Sequence, residues 1–430
     1  MKAAFYTLGC KVNQYESQAL SELLSKNGYE IVESKQDADI YIINSCTVTA
    51  AADQKTRQSV RRFKRSHPES IIVLTGCMPQ AYPKVADSLP EADIIIGNKD
   101  SDRLVSLLDS FAKFGKQIVS INEHENGEKF SGQPITCFDE RTRAYVKIQD
   151  GCNRFCSYCI IPTSRGRVRS KPLEQIQEEI EKIAANGFSE VVLVGINLSS
   201  YGQDLNVSFP QAVKTACEVD GIKRVRLGSI EPDHLTDEVI EELAKLPKLC
   251  PQFHLSLQSG CDKTLKAMNR HYTADEYRNI CRKLRESFPD CTLTTDVMVG
   301  FAGETDEDFL ESLAFVKEIG FEKVHVFPYS VRKGTRAEKF GGQVDKATKE
   351  KRCHIMLTET EKIRRAFFAS QKGKTVSVLF ESTADGGFAS GHTPNYTPVK
   401  VRTEHDLSGK ILDVRIIGVC EDDSCLGELI

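Results

Sequence analysis

Short apolar runs alternate with amphipathic stretches over the first hundred residues of the chain. The runs are three to six residues long and are bounded by glycine, asparagine or serine, which is typical of strands buried in a parallel sheet. They lie at Ala3–Leu8, Ile40–Ile43, Ile71–Leu74 and Ile94–Ile96. Helical patterns lie between them, for example at Tyr15–Leu24 and Ala51–Arg65. The alternation predicts a small doubly wound parallel sheet.

A second series of strands and helices follows the polar segment Asn122–Gln133, which we interpret as a linker. Its predicted strands are Ala144–Ile148, Val191–Val194, Arg224–Leu227, Phe253–Leu257, Thr292–Val299 and Lys323–Phe327. Predicted helices between them include Leu173–Ala185 and Thr305–Ile319, the latter with a Thr305-x-x-Asp308 cap at its N-terminus. Six βα units in about 190 residues predict an open, partial (βα)6 barrel.

The sequence changes character after a predicted long helix at about Lys346–Ser370. From Gln371 it is rich in valine and threonine, with glycine and proline turns, which predicts a small β-barrel. The fold class is therefore α/β, and the predicted domains are residues 1–125, 138–370 and 371–430.

The composition is that of a soluble globular protein. The chain has 430 residues, enough for two or three domains, and 40% hydrophobic with 27% charged residues excludes wholesale disorder. The net charge is −4, so any contact with RNA has to come from local basic patches.

Fifteen cysteines are the unusual feature of the composition. The chain is long, its cysteine number is odd, and its start, MKAAFYTLGC, is too short in apolar residues for a signal peptide. No run approaches the roughly 18 to 20 apolar residues of a membrane helix. We therefore expect a cytoplasmic protein whose cysteines are packing residues or metal ligands.

Cys152, Cys156 and Cys159 form a CxxxCxxC motif directly after the first predicted strand of the second series. Structural zinc prefers four protein ligands, and simple ferredoxins use CxxC spacings with a fourth cysteine. Three thiolates on a [4Fe–4S] cluster leave one iron open, which a radical enzyme needs in order to bind S-adenosylmethionine (SAM). The spacing favours this interpretation over a zinc or purely structural site.

A second set of three cysteines has no local motif. Cys10, Cys46 and Cys77 each follow a predicted strand of the first sheet, and the carboxyl ends of parallel strands meet at one edge. A second three-thiolate site is therefore plausible from the residues alone, and buried packing cysteines are the alternative.

Three basic patches interrupt the acidic total. Lys55–Arg65 has six basic residues and no acidic one, and residues 331–374 have thirteen basic and five acidic residues. The third patch consists of Arg165, Arg167, Arg169 and Lys171. Such patches suit phosphate binding, although charge runs are usually solvated faces. Residues 371–430, in contrast, hold six basic and nine acidic residues.

These motifs resemble the methylthiotransferases of the radical-SAM superfamily from end to end. TLGCKVNQYES, NSCTVT and TGCMPQ are similar to the family's N-terminal domain, GCNRFCSYCIIPTSRGRVRS is similar to its radical-SAM loop, and the C-terminal module resembles the RNA-binding TRAM domain. Within the family, Cys10–Glu16 is most similar to the subgroup that acts on N6-threonylcarbamoyladenosine in tRNA.

The resemblance implies two [4Fe–4S] clusters, one held by Cys10, Cys46 and Cys77 and the other by Cys152, Cys156 and Cys159. It also implies that SAM is both methyl donor and radical source, and that C2 of the adenine next to the anticodon, position 37, receives a methylthio group. The implied partners are the tRNA anticodon stem-loop, a reductant such as flavodoxin or ferredoxin, and a sulfur donor.

The SAM pocket is expected at the carboxyl ends of the barrel strands. Candidate cofactor-binding residues there are Gly195, Asn197, Ser229, Glu231, Gln258 and Asp296. Beyond the cluster ligands we predict no further catalytic residue.

Two alternatives remain open. One is the same chemistry on N6-isopentenyladenosine in tRNA or on a ribosomal protein. The other is a metal-containing RNA-binding protein without catalytic activity.

Overall fold

The computed structural model describes residues 1–136, 138, 142–384 and 387–430. Within residues 1–136, parallel strands form one sheet in the order β2-β1-β3-β4-β5-β6. The strands are β1 (Lys2–Thr7), β2 (Glu30–Val32), β3 (Ile40–Ser45), β4 (Ile71–Gly76), β5 (Ile94–Ile96) and β6 (Ile118–Ser120). The helices are α1 (Lys11–Lys26), α2 (Ala50–Ser66), α3 (Cys77–Ala81) and α4 (Leu104–Phe114).

Both faces of this sheet are covered. Side chains of alternating strand positions pack against α2 and α3 on one face and against α1 and α4 on the other. The predicted doubly wound sheet is therefore confirmed. The sequence pattern missed the two short edge strands, β2 and β6, because neither has a continuous buried run.

The central part is an open barrel of parallel strands. One sheet has the order β11-β10-β7, the other β12-β13-β14-β15, and Gly228 joins β11 to β12. The strands are β7 (Arg143–Lys147), β8 (Gln149–Asp150), β9 (Arg169–Ser170), β10 (Glu190–Val194), β11 (Arg224–Leu227), β12 (Ser229–Ile230), β13 (Gln252–Leu255), β14 (Thr292–Val299) and β15 (Lys323–Pro328). The short antiparallel pair β8 and β9 frames the CxxxCxxC loop.

The central part also contains helices. They are α5 (Ile161–Arg165), α6 (Leu173–Ala185), α7 (Phe209–Glu218), α8 (Asp237–Ala244), α9 (Asp262–Ala267), α10 (Ala274–Ser287), α11 (Asp306–Ile319) and α12 (Lys346–Ser370). Thr305 and Asp308 form a reciprocal capping box at the start of α11, as predicted. No described helix has an apolar stretch of the length needed to cross a membrane.

The described residues from Thr375 onward form a closed β-barrel in the order β16-β17-β18-β20-β19, as predicted. Its strands are β16 (Thr375–Ala384), β17 (Phe388–His392), β18 (Pro398–Arg402), β19 (Ile411–Val419) and β20 (Cys425–Leu429). The ring of Phe368, near the end of α12, belongs to the core of this barrel.

The C-terminal barrel is docked on the amino ends of the central strands. Arg226 Nη1 donates to the carbonyl oxygen of Pro394 at 2.9 Å, and Arg224 Nη2 donates to that of Ser377 at 3.1 Å. Thr292 Oγ1 donates to the carbonyl of Asn395 at 2.6 Å. The loop between β17 and β18 therefore closes one end of the central barrel.

The predicted linker, Asn122–Gln133, contains neither helix nor strand, but it is held in place. Its Glu128 carboxylate lies 2.6 Å from Lys99 Nζ and 2.8 Å from His124 Nδ1. The segment therefore packs against the N-terminal sheet and is not a free linker between this sheet and the central barrel.

Candidate functional site

The first three cysteines lie at one edge of the N-terminal sheet. Cys10 precedes α1, Cys46 follows β3 directly, and Cys77 is the first residue of α3 after β4. Parallel pairing of Thr7 with Asn44 and of Ser45 with Gly76 brings these strand ends side by side. The three positions therefore converge although 31 and 36 residues separate them in sequence.

Asn13, in the first turn of α1, is the hub of this triad. Its Oδ1 accepts from the thiols of Cys10 and Cys77 at 3.8 and 3.9 Å. Its Nδ2 donates to the carbonyl oxygens of Leu8 and Ser45 at 2.8 and 2.9 Å, which ties the ends of two strands together. The amide thus fixes the positions of the cysteine-bearing loops.

Gly9 gives Cys46 its place beside Cys10. Its φ is +103°, and a Cβ on this residue would lie 2.7 Å from Cys46 Cβ, so a larger residue would push the two loops apart. The close approach needs glycine here.

A buried arginine touches this triad. Arg165, at the end of α5, lies 3.3 Å from Cys77 Sγ through Nε and 2.8 Å from Asn13 Oδ1 through Nη2. Both guanidinium ends also contact Glu16, with Nη2 at 2.9 Å from Oε2. Burial by itself would raise the pKa of Glu16, but Arg165 and Lys147 have the larger effect. The pKa is therefore lower than usual, and the carboxyl group stays ionised.

The second triad, Cys152, Cys156 and Cys159, lies in the loop between β8 and α5. The backbone N–H of Arg154 points at Cys152 Sγ at 3.4 Å, and Asn197 Nδ2 approaches the same sulfur at 3.8 Å. Arg270 Nη1 lies 3.4 Å from Cys156 Sγ. Like the first triad, this one has a nearly buried arginine at a sulfur, and that arginine is paired with a glutamate, Glu231.

The two triads are close neighbours in the fold. The short helix α5 begins two residues after Cys159, and its last residue is the Arg165 that contacts Cys77. Ser164 Oγ donates to the carbonyl oxygen of Cys77 at 3.1 Å as well. One turn and a half of helix therefore connects the CxxxCxxC loop to the N-terminal triad.

The geometry of the triads indicates what they can hold. Thiolates on one zinc ion at about 2.3 Å would lie about 3.8 Å apart. Among the described residues, only His254, Asp296 and His325 bring three such ligand atoms within 4.8 Å of one another, so both cysteine triads are wider than that. A four-iron cube, which places its thiolates on different corners, suits the wider spacing.

Burial opposes ionisation of the bare thiols. It raises the pKa of Cys46 to about 12 and that of Cys152 to about 11. Binding a metal cluster at these sulfurs therefore has to release protons.

An open cavity of about 660 Å³ extends from Cys10 into the central barrel. Cys10 borders it on one side, and Gly195 and Ser229, at the carboxyl ends of the barrel strands, border it on the other. Tyr396 of the C-terminal barrel lines it as well. The space connects the N-terminal triad to the interior of the central barrel.

The six predicted cofactor-binding residues occupy different places around this space. Gly195, Ser229 and Asp296 line the cavity, whereas Asn197 lies next to Cys152. Asp296 lies 3.2 Å from His254 Nε2.

Glu231 and Gln258 complete this set. Glu231 is paired with Arg270, and burial raises its pKa. Gln258 has a φ of +68°. Its backbone N–H donates to the carbonyl oxygen of Asp296, and its carbonyl oxygen accepts from the N–H of Met298, each at 2.8 Å, which joins it to β14. These two residues hold the strand ends in place beside the second triad.

One sequence prediction is wrong. Arg165, Arg169 and Lys171 are not part of a phosphate-binding surface, because each is buried and paired with a carboxylate. Of this patch, Arg167 is exposed, with its guanidinium over the ring of Phe155. The cations neutralise buried acids at the joint between the sheet and the barrel.

Comparison with known proteins places these features in a family. Residues 2–97 match the model of the uncharacterized protein family UPF0004, and residues 146–316 match that of the radical SAM superfamily. The solved structure of the radical SAM methyltransferase TsrM from Kitasatospora setae superposes with a TM-score of 0.55, covering 76% of this chain and 72% of that one at 13% identity. That likeness concerns the fold alone.

Sequence relatives are much closer. The threonylcarbamoyladenosine tRNA methylthiotransferase MtaB of Bacillus subtilis is 36% identical over 96% of this chain and 93% of its own length. The MtaB of Thermotoga maritima is 36% identical over 99% and 96%. A tRNA-2-methylthio-N(6)-dimethylallyladenosine synthase of Clostridium botulinum is 38% identical over 96% and 93%. With two cysteine triads joined by one short helix and such relatives along nearly its whole length, the chain belongs to the methylthiotransferase family of radical-SAM enzymes.

Proposed function

We propose that this enzyme adds a methylthio group to C2 of N6-threonylcarbamoyladenosine at position 37 of tRNA, in the cytoplasm. The observation that carries the proposal is the cavity bordered by Cys10 of one triad and by the strand ends next to the other. The reaction needs one space that is open to a sulfur-carrying centre and to a SAM-cleaving centre. The cavity supports this arrangement, since Cys10 borders it and Gly195, which also lines it, lies two residues before the Asn197 that approaches Cys152 Sγ.

The six cysteines of the two triads would hold two [4Fe–4S] clusters. The donor sets fit, since each offers three soft sulfurs with one corner left for another ligand and a guanidinium beside a sulfur, which stabilises thiolate charge. When bound, the clusters and SAM supply the radical and sulfur-transfer chemistry that acid–base groups cannot perform at an aromatic carbon. Gly195, Asn197, Ser229, Glu231, Gln258 and Asp296 are the proposed SAM-binding residues.

The chain's own residues position the reactants. Arg270 fixes Glu231 at the edge of the CxxxCxxC loop, and both are nearly buried. Gly195 allows the backbone after β10 to lie close to the Gln149 side chain, since a Cβ at this residue would lie 2.8 Å from Gln149 Oε1. The C-terminal barrel closes the far end of the cavity and limits entry of water.

The proposed division of labour follows the three predicted domains. Residues 1–125 carry the sulfur-delivering cluster, residues 138–370 carry the SAM-cleaving cluster, and residues 371–430 form a TRAM-like barrel. The anticodon stem-loop is the proposed RNA partner, with exposed cations such as Lys55 and Arg65 of α2 available for its phosphates. A flavodoxin or ferredoxin as reductant and a separate sulfur donor complete the proposal.

Overall identity does not separate the two tRNA activities, because relatives of both kinds match at 36% and 38%. The cavity does favour one of them. Four cations line it, Lys11, Arg143, Arg226 and Lys323, whereas an isopentenyl group would call for apolar walls. A threonylcarbamoyl group is anionic and polar, so it suits this lining.

Complementation tests the proposal. The chain is expressed in a Bacillus subtilis strain that lacks its own MtaB, and nucleosides of total tRNA are measured by mass spectrometry. We expect the 2-methylthio derivative of threonylcarbamoyladenosine to return with the wild type and to stay absent with Cys10→Ala. Absence of that nucleoside with a well-expressed wild type would refute the assignment.

An assay of SAM cleavage by the purified protein distinguishes an enzyme from a non-catalytic RNA-binding protein. Anaerobic reconstitution followed by SAM and dithionite should release 5′-deoxyadenosine from the enzyme. A metal-containing binding protein would release none.

A further inference from the structure

Two lysine side chains without an ionic partner in the described part of the chain face the cavity that Cys10 borders. Lys11 is the first residue of α1, next to Cys10, and Lys323 opens β15 on another wall. Both side chains are exposed, and neither forms an ion pair with a carboxylate among the described residues.

The arginines in the same cavity differ from these lysines. Arg143 Nη2 lies 2.9 Å from a Glu381 oxygen, and Arg226 Nε lies 3.0 Å from a Glu190 oxygen. Their charges are already balanced by the protein. Of the lysine and arginine side chains described around the cavity, Lys11 and Lys323 are therefore the two that are available to pair with an anionic ligand.

The remaining charged groups of the cavity do not change this balance. Among the described residues that line it, Asp296 is the one carboxylate, and His254 Nε2 is 3.2 Å away from it. Lys11 and Lys323 line the same cavity as the His325 imidazole. Two ammonium groups beside the His254–Asp296–His325 set oppose a metal cation there and favour an anion.

Building on the proposed function, we infer that Lys11 and Lys323 bind the carboxylate of the threonyl group and so select an acidic N6 substituent over an apolar one. N6 and C2 belong to the same six-membered ring, so a substituent on N6 occupies space beside the atom that receives sulfur. Lys11 follows Cys10 directly, and both residues border the same cavity. A dimethylallyl group has no charge and would form no ion pair with either lysine.

Binding of synthetic anticodon stem-loops to the reconstituted holoenzyme tests this inference. The four RNAs carry at position 37 threonylcarbamoyladenosine, its methyl ester, dimethylallyladenosine or plain adenosine. We expect the wild type to bind the acid at least tenfold more tightly than the ester, the loss of one charge-assisted contact being worth about a factor of ten. This comparison needs no variant, so it does not depend on a substituted protein folding.

Lys11→Met and Lys323→Met assign the contact. Each should weaken binding of the acid about tenfold and leave the ester and plain adenosine unchanged. Lys116→Met, at an exposed residue far along the sheet, is the matched control and should bind all four RNAs like the wild type.

Two results would overturn the inference: equal affinity of the wild type for acid and ester, or equal weakening of all four RNAs by the lysine variants, which would mean contact with phosphates. Failure of the proposed function looks different. In that case the dimethylallyl RNA, and not the threonylcarbamoyl RNA, would be methylthiolated by the wild type.

Discussion

Arg165 Nε lies 3.3 Å from Cys77 Sγ, inside the joint between the N-terminal sheet and the central barrel. The arginine is 1% exposed. Burial by itself lowers its pKa, but Cys77, Glu16 and Asp150 raise that pKa well above the usual value. A permanent positive charge is therefore fixed beside the first triad.

Replacing this charge should destabilise the whole joint. We expect Arg165→Met to lower the free energy of unfolding by about 3 kcal/mol, because Glu16 and Asp150 stay buried with Lys147 as their shared partner. Urea unfolding of the apoprotein under reducing conditions measures this. Arg167→Met, at the exposed neighbour, is the control and should change the stability by no more than about 0.5 kcal/mol.

The two triads should hold metal independently. After anaerobic reconstitution we expect about eight irons per chain in the wild type, four for each [4Fe–4S] cluster. Serine at positions 10, 46 and 77 together should leave about four irons and preserve reductive cleavage of SAM. Serine at positions 152, 156 and 159 should also leave about four but abolish that cleavage.

Cys420→Ser is the matched control for these counts, since Cys420 is a partly exposed cysteine of the C-terminal barrel outside both triads. It should retain the full iron content. Zinc in place of iron, or an unchanged iron content in either triple variant, would contradict the assignment of ligands.

The sequence was sufficient to predict the scaffold of this site. A cysteine directly after a buried strand has to lie at the carboxyl edge of a parallel sheet, so the approach of Cys10, Cys46 and Cys77 followed from the strand pattern. The CxxxCxxC loop is local and needed no tertiary information. Both predictions depend on short-range regularities.

Contacts between distant segments were beyond the reach of the sequence. Arg165 looked like part of a basic surface, and only the packing of α5 against α3 shows that it neutralises Glu16. Asn13 was visible merely as one letter of a motif, although its amide joins two strand ends to two thiols. The position of Lys11 in one cavity with Arg143 and Arg226 likewise depends on the packing of α1 near β7 and β11.

The segment Asn122–Gln133 should become less firmly held in acid. Burial by itself would raise the pKa of the Glu128 carboxyl group. Hydrogen bonds from Lys99 and His124 outweigh this effect and lower that pKa from 4.5 to about 2. A carboxyl group with a lowered folded-state pKa adds stability above the unfolded value, and loses it as the pH falls from about 4.5 to about 2.

We therefore expect Glu128→Gln to be less stable than the wild type at pH 7, by about 1 to 2 kcal/mol after solvent screening. This gap in the free energy of unfolding between the variant and the wild type should become smaller below pH 4.5. Urea midpoints of both proteins at pH 7, 5 and 3.5 measure it, with Glu125→Gln, at an exposed neighbour, as the control. A gap that is constant across these pH values would contradict the prediction.

Tyr396 should fasten the C-terminal barrel to the central one. The guanidinium groups of Arg143 and Arg226 lie 5.0 and 4.7 Å from the centre of its ring, and its φ of +66° is unfavourable for a residue with a side chain. Loss of the ring removes about 1 to 2 kcal/mol of cation–π attraction and leaves the backbone strain in place.

We expect Tyr396→Ala to speed tryptic cleavage at Lys372 and Lys374, where α12 meets the barrel, about tenfold, because transient undocking exposes this junction. Tyr396→Phe keeps the ring and loses only a 3.5 Å contact from Arg143 to the hydroxyl, so it should be cleaved like the wild type. Equal cleavage of the alanine and phenylalanine variants would show that the ring does not hold the barrel. Faster cleavage of both would assign the docking to the hydroxyl instead.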